Sequence, residues 1–352
     1  MSAELARPEI AALKPYVTAL QQPDTLRLNA NEAPVAPLAD GLNRYPQIRP
    51  DALQAALAAL FAVHAEQLLV TRGSSEAIDL LTRTFCRAYQ DNVVVMPPTF
   101  SMYQVYARMQ GAEVIEVPLD PDADFAPNID EILARCTEYS KLVFVCSPNN
   151  PTGGSVPFSD IERLLRVRAG KSLIVVDEAY IEFSDEPSLI EQLERFPNLV
   201  ILRTLSKAWG LAGSRCGAVL ANPPIIELLG RLLPPYAFSA PSTERVLQSL
   251  SDRGQANARN VIAATIAERD KVGKALRAMP CVSRVWPSDA NFLLVRFASL
   301  APLRDALQKK RILIREFGDS SLLWNCARIT IGNPEQNSLL LQALAEVSEA
   351  TA

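Results

Sequence analysis

The chain has 352 residues, 49% of them apolar, and a formal net charge of -4 from 35 basic and 39 acidic residues. That length and apolar fraction support one large domain and a smaller one. The interspersed charges exclude a basic stripe for nucleic acid or a polybasic tract for a membrane surface.

The opening MSAELARPEI carries acidic residues and no long apolar core, and no later run approaches the roughly 20 apolar residues that span a bilayer. Small-molecule partners, no membrane partner and a cytoplasmic location are the expectation. Cys86, Cys136, Cys146, Cys216, Cys281 and Cys326 are scattered without a CxxC pair or a nearby histidine cluster, which points to free thiols rather than a zinc site or a disulfide framework.

In chain order, apolar runs at 67–70, 93–96, 142–146, 173–176, 199–202 and 217–220 predict buried strands. Ile78, Leu81 and Phe85 recur at helical spacing within 76–89, as do Ile161, Leu164 and Leu165 within 159–168. Strands alternating with helices predict an α/β fold whose mostly parallel sheet is covered by helices on both faces. After residue 240 the pattern changes to a long helical stretch at 255–279, strands near 291–297, 311–315 and 327–331, and a helix at 335–349. This reads as a smaller α/β domain at the C-terminus. The expected division is an arm at 1–28 packing on the small domain, a large domain at 29–240 and a small domain at 241–352. Prolines at 34–50 and 223–241 mark loops or interdomain crossings.

Ligands of open α/β sheets gather at the carboxyl ends of the strands. The first such end reads TRGSSEAID, where Gly73 permits a turn and Ser74 and Ser75 open a helix with free amides and hydroxyls, either for an anion or as an ordinary cap. Next comes SPNNPTGG with Asn150, and then DEAYIEF with Asp177 and Tyr180. A carboxylate at the end of a buried strand is expensive unless it meets a positive partner, and a protonated pyridine nitrogen is one. Asn150 and Tyr180 would hydrogen-bond a phenolic oxygen on the same ring. In TLSKAWGLAGSRCG, Lys207 sits among small residues, a poor setting for a solubilising charge but a suitable one for a Schiff base. Ser206 and Arg215 can hold a phosphate there. Pyridoxal 5'-phosphate meets all of these requirements.

SPNNPTG, VVDEAY and TLSKAWGLAGSRCG, in this order, resemble the fold-type-I aminotransferases. LKPY, RLNANEAP, NRYPQIRPDAL, PPTFSMY, ANFLLVRF, ILIREF and ARITIGNPEQN narrow the resemblance to the histidinol-phosphate aminotransferase family, from about residue 13 to the C-terminal helix. The resemblance implies that Lys207 binds the cofactor and shuttles a proton, that Asp177 keeps the pyridine nitrogen protonated, and that Asn150 and Tyr180 bind the ring oxygen. Ser74, Ser75, Ser206 and Arg215 would hold the phosphate. Tyr45 would reach the phosphate of a neighbouring subunit, which implies a homodimer with shared active sites. Phe100 stands where the family usually carries tyrosine and keeps a stacking face. Arg328, Arg315 and Tyr16 would grip substrate anions, the first two being alternatively partners for surface carboxylates. His64, the one histidine, reads as a helix-end residue.

The reaction implied is amino transfer between L-histidinol phosphate and 2-oxoglutarate. An aromatic amino acid aminotransferase or a threonine-phosphate decarboxylase shares the cofactor motifs. A dinucleotide dehydrogenase is disfavoured because no GxGxxG follows the first strands.

Overall fold

The computed structural model describes residues 2–14, 25–38, 41–317 and 321–351. A 3-10 turn at Ser2–Leu5 and the short helix α1 (Pro8–Ala11) open the chain, and α2 (Asp51–Phe61) buries Leu53, Leu57 and Phe61 along one face. The larger layered unit then runs β1 (Leu68–Thr71), α3 (Ser74–Phe85), β2 (Asn92–Val95), α4 (Met102–Gln110) and β3 (Glu113–Glu116). It continues through α5 (Ile129–Arg135), β4 (Ser140–Cys146), α6 (Phe158–Val167), β5 (Leu173–Asp177), β6 (Leu199–Thr204), β7 (Gly217–Ala221) and α7 (Pro223–Leu232).

These strands form one seven-stranded sheet in the order β1-β7-β6-β5-β4-β2-β3. The β3-β2-β4-β5-β6 neighbours are parallel, and β7 alone is antiparallel to both of its neighbours. Helices cover both faces, so the central strands are unbroken apolar runs rather than alternating ones. Ile174 and Val176 pack with Leu57, Ile161 and Leu164 on one side; Leu173 and Val175 pack with Ile78, Leu81 and Ile225 on the other.

The second unit comprises α8 (Ala240–Ser249), α9 (Asp252–Arg277), β8 (Val282–Val285), β9 (Phe292–Phe297), α10 (Ala301–Lys309), β10 (Arg315–Glu316), β11 (Cys326–Thr330) and α11 (Pro334–Thr351). Its four strands are ordered β10-β11-β9-β8 and all pair antiparallel. Val272 and Leu276 from the end of α9, Leu303 and Leu307 from α10 and Leu340 and Leu344 from α11 cover them.

Several local expectations change. The helix expected over 76–89 stops at Phe85 because Cys86 is extended, at φ -108 and ψ 118. The strand expected at 311–315 reduces to Arg315–Glu316, since Arg311 turns the chain at φ 58. Neither β3 nor β8 is anticipated; the sequences EVIE and VSRV are too short and polar to stand out, and partner strands recruit them. Residues 3–11 of the expected N-terminal arm lie on the larger unit, not on the small domain. Ala6 is buried in the core beneath α3 and α7, Arg7 N donates to Thr84 O at 3.0 Å, and Arg231 Nη1 donates to Ala11 O at 2.6 Å. Helix α8, the first helix after the larger unit, packs back on it, with Val246 and the adjoining Leu250 in its core. Among the described residues no helix is long and apolar enough to cross a membrane.

Candidate active site

Because β1, β4, β5 and β6 run in one direction, their carboxyl ends share an edge of the large sheet. Strand β7 runs the other way, so its first residue lies at that edge and Arg215 reaches it from the preceding turn. A cavity of about 590 Å³ opens there, lined by Ser74, Phe100, Asn150, Asp177, Tyr180 and Lys207 from the larger unit and by Arg315 and Arg328 from the smaller sheet.

Asp177 ends β5 and is 2% exposed. Burial pushes its carboxyl from the ordinary 3.8 up to about 6. The Tyr103 hydroxyl donating to Oδ2 at 2.7 Å, the Ala179 N–H donating to Oδ1 at 3.2 Å and the Lys207 charge oppose that rise. Lys207 opens onto the cavity with Nζ 5.5 Å from the centroid of the Tyr180 ring. Desolvation by the cavity walls pulls its amine below the ordinary lysine range, the Arg328 charge adds to this, and Asp177 works against it. A perturbed acid and a perturbed amine facing one cavity are the signature of a chemical site rather than of surface charge.

The two asparagines of SPNNPTGG part company. Asn149 is buried and spends its amide within the fold, donating to Pro98 O at 2.9 Å and Thr152 Oγ1 at 2.8 Å while accepting from Thr99 Oγ1 at 2.8 Å. Asn150 faces the cavity: its Nδ2 donates to the Tyr180 hydroxyl at 3.3 Å and its Oδ1 accepts from Arg328 Nη1. Burial raises the Tyr180 hydroxyl, so it stays protonated and able to donate.

At the end of β1, Gly73 takes φ 79, a left-handed conformation that favours glycine, and α3 begins at Ser74 with its first amides free. A Cβ on Gly73 would lie 2.7 Å from Arg215 Nη2. Arg215 itself has φ 53; its Nη1 donates to Ser206 Oγ at 3.3 Å and its Nη2 to Arg72 O at 3.4 Å. Among the described residues no carboxylate pairs with it. A helix N-terminus, two serines and a guanidinium without an acid form a cradle for an anion such as phosphate.

Arg315 and Arg328 are directly paired across β10 and β11. The Arg328 guanidinium lies 5.3 Å from the Phe292 ring centroid, and desolvation lowers its affinity for its proton. Like charges set opposite each other are unfavourable in an empty sheet, and an external anion relieves them.

The structure therefore gathers most of the residues singled out from the sequence. Ser74, Phe100, Asn150, Asp177, Tyr180, Lys207, Arg315 and Arg328 line the cavity, and Ser75, Ser206 and Arg215 stand at the cradle beside it. Tyr45 is not among the lining residues of its own chain; it stacks on Tyr236 at 4.6 Å and is 49% exposed. Tyr16 lies outside the described residues. His64 begins the 3-10 turn Ala65–Gln67, where its N–H donates to Gln67 Oε1 at 3.1 Å. Sequence reasoning missed two elements. One is Tyr103, which reads as an ordinary core tyrosine until α4 is set against β5. The other is the buried Glu178–Arg203–Glu182 group, to which Trp209 Nε1 donates at 3.0 Å.

Fold and site together define an aminotransferase. Residues 16–344 match the aminotransferase class I and II family. A histidinol-phosphate aminotransferase of Xanthomonas axonopodis pv. citri is 43% identical, covering 99% of this chain and 98% of that one, and one of Xylella fastidiosa is 42% identical with the same coverage. The crystal structure of a Sinorhizobium meliloti histidinol-phosphate aminotransferase in complex with pyridoxal-5'-phosphate superposes with a TM-score of 0.79 at 25% identity, over 92% of this chain and 90% of that one. The chain belongs to the class I and II aminotransferases and, within them, to the histidinol-phosphate aminotransferase family.

Proposed function

We propose that the protein moves the amino group between L-histidinol phosphate and 2-oxoglutarate in histidine biosynthesis, with pyridoxal 5'-phosphate as cofactor. One observation carries this reading: a single cavity joins Lys207, the buried Asp177 and the Arg315–Arg328 pair beside the anion cradle, and among the described residues no carboxylate pairs with these arginines. The cofactor fits these residues on the chemistry of the donor set. Ser74, Ser75, Ser206 and Arg215 would hold its phosphate, Asp177 its ring nitrogen, Asn150 and Tyr180 its ring oxygen, and Phe100 a ring face. When bound, it supplies an aldehyde that takes up the amino group and a ring that draws electrons from the substrate α-carbon.

The chain's own residues do the rest. The lowered proton affinity of Lys207 leaves more of its Nζ as free base, suited to taking and returning a proton at the α-carbon. Asp177 holds negative charge on the cavity floor. Arg328 and Arg315 bind and orient the substrate's anionic end, and Tyr180 and Asn150 orient the ring. Phe317 and Leu323 line the same cavity beside the arginines and exclude water there.

The same reading includes a cytoplasmic homodimer with shared active sites. Leu26, Leu28 and Leu38 are each 84% exposed, and Tyr45, 49% exposed, is not among the residues lining its own chain's cavity. A second copy would cover this segment and receive Tyr45 at its cofactor phosphate. Six free cysteines fit a reducing compartment.

The decisive test mixes cofactor-loaded protein with histidinol phosphate, phenylalanine or threonine phosphate and follows conversion of the cofactor to its aminated form by absorbance. Histidinol phosphate should react fastest. Faster conversion with phenylalanine makes the protein an aromatic aminotransferase, and release of carbon dioxide from threonine phosphate makes it a decarboxylase.

A further inference from the structure

Tyr103 sits in the middle of the site without lining the cavity. Its ring is fully buried, stacks on Phe144 at 4.7 Å with an interplanar angle of 8°, and meets Phe100 edge-on at 5.6 Å. Phe144 and Asp177 are on adjacent paired strands, with Cys146 directly opposite Asp177. The stack therefore aims the hydroxyl along the sheet edge at Asp177 Oδ2, 2.7 Å away. The other carboxylate oxygen is held by the Ala179 N–H at 3.2 Å. With both oxygens engaged, rotation of the carboxylate is restrained while Asp177 lines the cavity.

The groups around Asp177 leave Tyr103 little competition. The Cys146 thiol is pushed up to about 12, by burial first and by the Asp177 charge second, so it stays neutral. Burial and the same carboxylate raise the Tyr103 hydroxyl well above the ordinary tyrosine range, so it remains a donor at every working pH. Lys207 and the Tyr180 hydroxyl, itself raised and neutral, complete the set.

We infer that Tyr103 is the positioning residue of Asp177: its hydroxyl sets the carboxylate's rotation and keeps it ionised at the cavity floor. This rests on the reading of Asp177 as the partner of the cofactor's ring nitrogen. Phe100, which lines the cavity and touches Tyr103, then belongs to the same device. One turn of chain, 100–103, supplies a wall of the cavity and sets the charge on its floor.

The test compares wild type, Tyr103→Phe, Phe144→Leu and Asp177→Asn. Tyr103→Phe keeps the stack and removes only the hydroxyl; Phe144→Leu loosens the stack and keeps the hydroxyl. Infrared titration of the cofactor-free chain follows the protonated carboxyl band, identified as that of Asp177 by its loss in Asp177→Asn. Kinetics of the holoenzyme follow kcat and KM against pH. In Tyr103→Phe the midpoint and the acid limb of kcat should both move up by about one pH unit, the size of one hydrogen bond to a charged group. The KM for the amino donor should change by less than about twofold, because the hydroxyl does not face the substrate. Phe144→Leu, which keeps the hydroxyl and only loosens its aim, should move the midpoint up by much less. An unmoved midpoint in Tyr103→Phe, or an equal shift in Phe144→Leu, overturns the inference and leaves the proposed function standing. Wild-type rates in Asp177→Asn instead overturn the reading of Asp177 itself.

Discussion

Arg315 and Arg328 stand directly opposite each other across two antiparallel strands, and no carboxylate among the described residues is paired with either. Two guanidiniums kept together without an acid are poised for a doubly charged or bidentate anion. Charge-assisted hydrogen bonds contribute about 1.5 to 3 kcal/mol each, so Arg328→Ala should lower kcat/KM roughly a hundredfold with both histidinol phosphate and glutamate. Arg315→Ala should remove the preference for histidinol phosphate over histidinol. Steady-state kinetics with the two amines checks this, and a preference that survives both substitutions would move the phosphate elsewhere.

Asp177 carries a stability penalty that the variant Asp177→Asn should relieve. Its carboxyl titrates at about 6 in the fold against an ordinary 3.8. The folded chain thus binds this proton more tightly than the unfolded one, and the penalty is complete above about pH 6 and fades as pH falls towards 3.8. The gap corresponds to at most about 3 kcal/mol. In cofactor-free protein, calorimetry should show Asp177→Asn melting higher than wild type at about pH 8, with the gain shrinking towards pH 4. Turnover should fall by roughly a hundredfold or more, because an amide supplies no charge.

Gly217 and Gly213 make a matched pair. A Cβ on Gly217 would lie 2.7 Å from the Arg203 carbonyl oxygen and 2.9 Å from Gly73 Cα, while one on Gly213 would meet nothing within 4 Å. Gly217→Ala should destabilise the fold by about 1 to 3 kcal/mol and loosen cofactor binding by spreading the anion cradle. Gly213→Ala should leave both unchanged within error, as read by denaturant melts and cofactor titration.

The loop carrying Lys207 and the turn after Tyr180 are tied to one carboxylate. Trp209 Nε1 donates to Glu182 Oε1 at 3.0 Å, and Arg203 Nη2 pairs with the same oxygen at 2.7 Å. Trp209→Phe leaves the Arg203 pair intact and should lower kcat several-fold with little change in melting temperature. Glu182→Gln removes the charge facing buried Arg203 and should lower both. Equal stability losses in the two variants would count against this division.

The residues that perform chemistry were legible because each breaks a rule of its surroundings: an acid at the end of an apolar strand for Asp177, an amine among glycines and alanines for Lys207, serines at a helix start for Ser74 and Ser75. The central strands were legible for the opposite reason, since burial on both faces leaves only Leu, Ile and Val. What escaped obeys its surroundings. Tyr103 looks like any apolar-faced helix residue, and Arg203 in β6 meets Glu178 just past β5 and Glu182 in the following turn only once the two strands pair. The reversed direction of β7 is equally silent, because pairing sense leaves no mark in side-chain pattern. Residues 3–11 of the arm misled because Ala6 and Arg7 give no sign of which surface they will meet.

Strand β7 has a consequence for how the molecule comes into being. It sits between β1 and β6, so β1 has no place in the sheet until β7 arrives. Leu68 pairs with Leu220 although they leave the ribosome far apart in time. Gly73 and Ser74 therefore wait, through most of synthesis of the larger unit, for the arginine that completes their cradle. Contacts so distant along the chain form late and slowly. In refolding experiments, helical circular dichroism should recover ahead of cofactor fluorescence, and cofactor in the medium should draw nearly finished chains into the completed state.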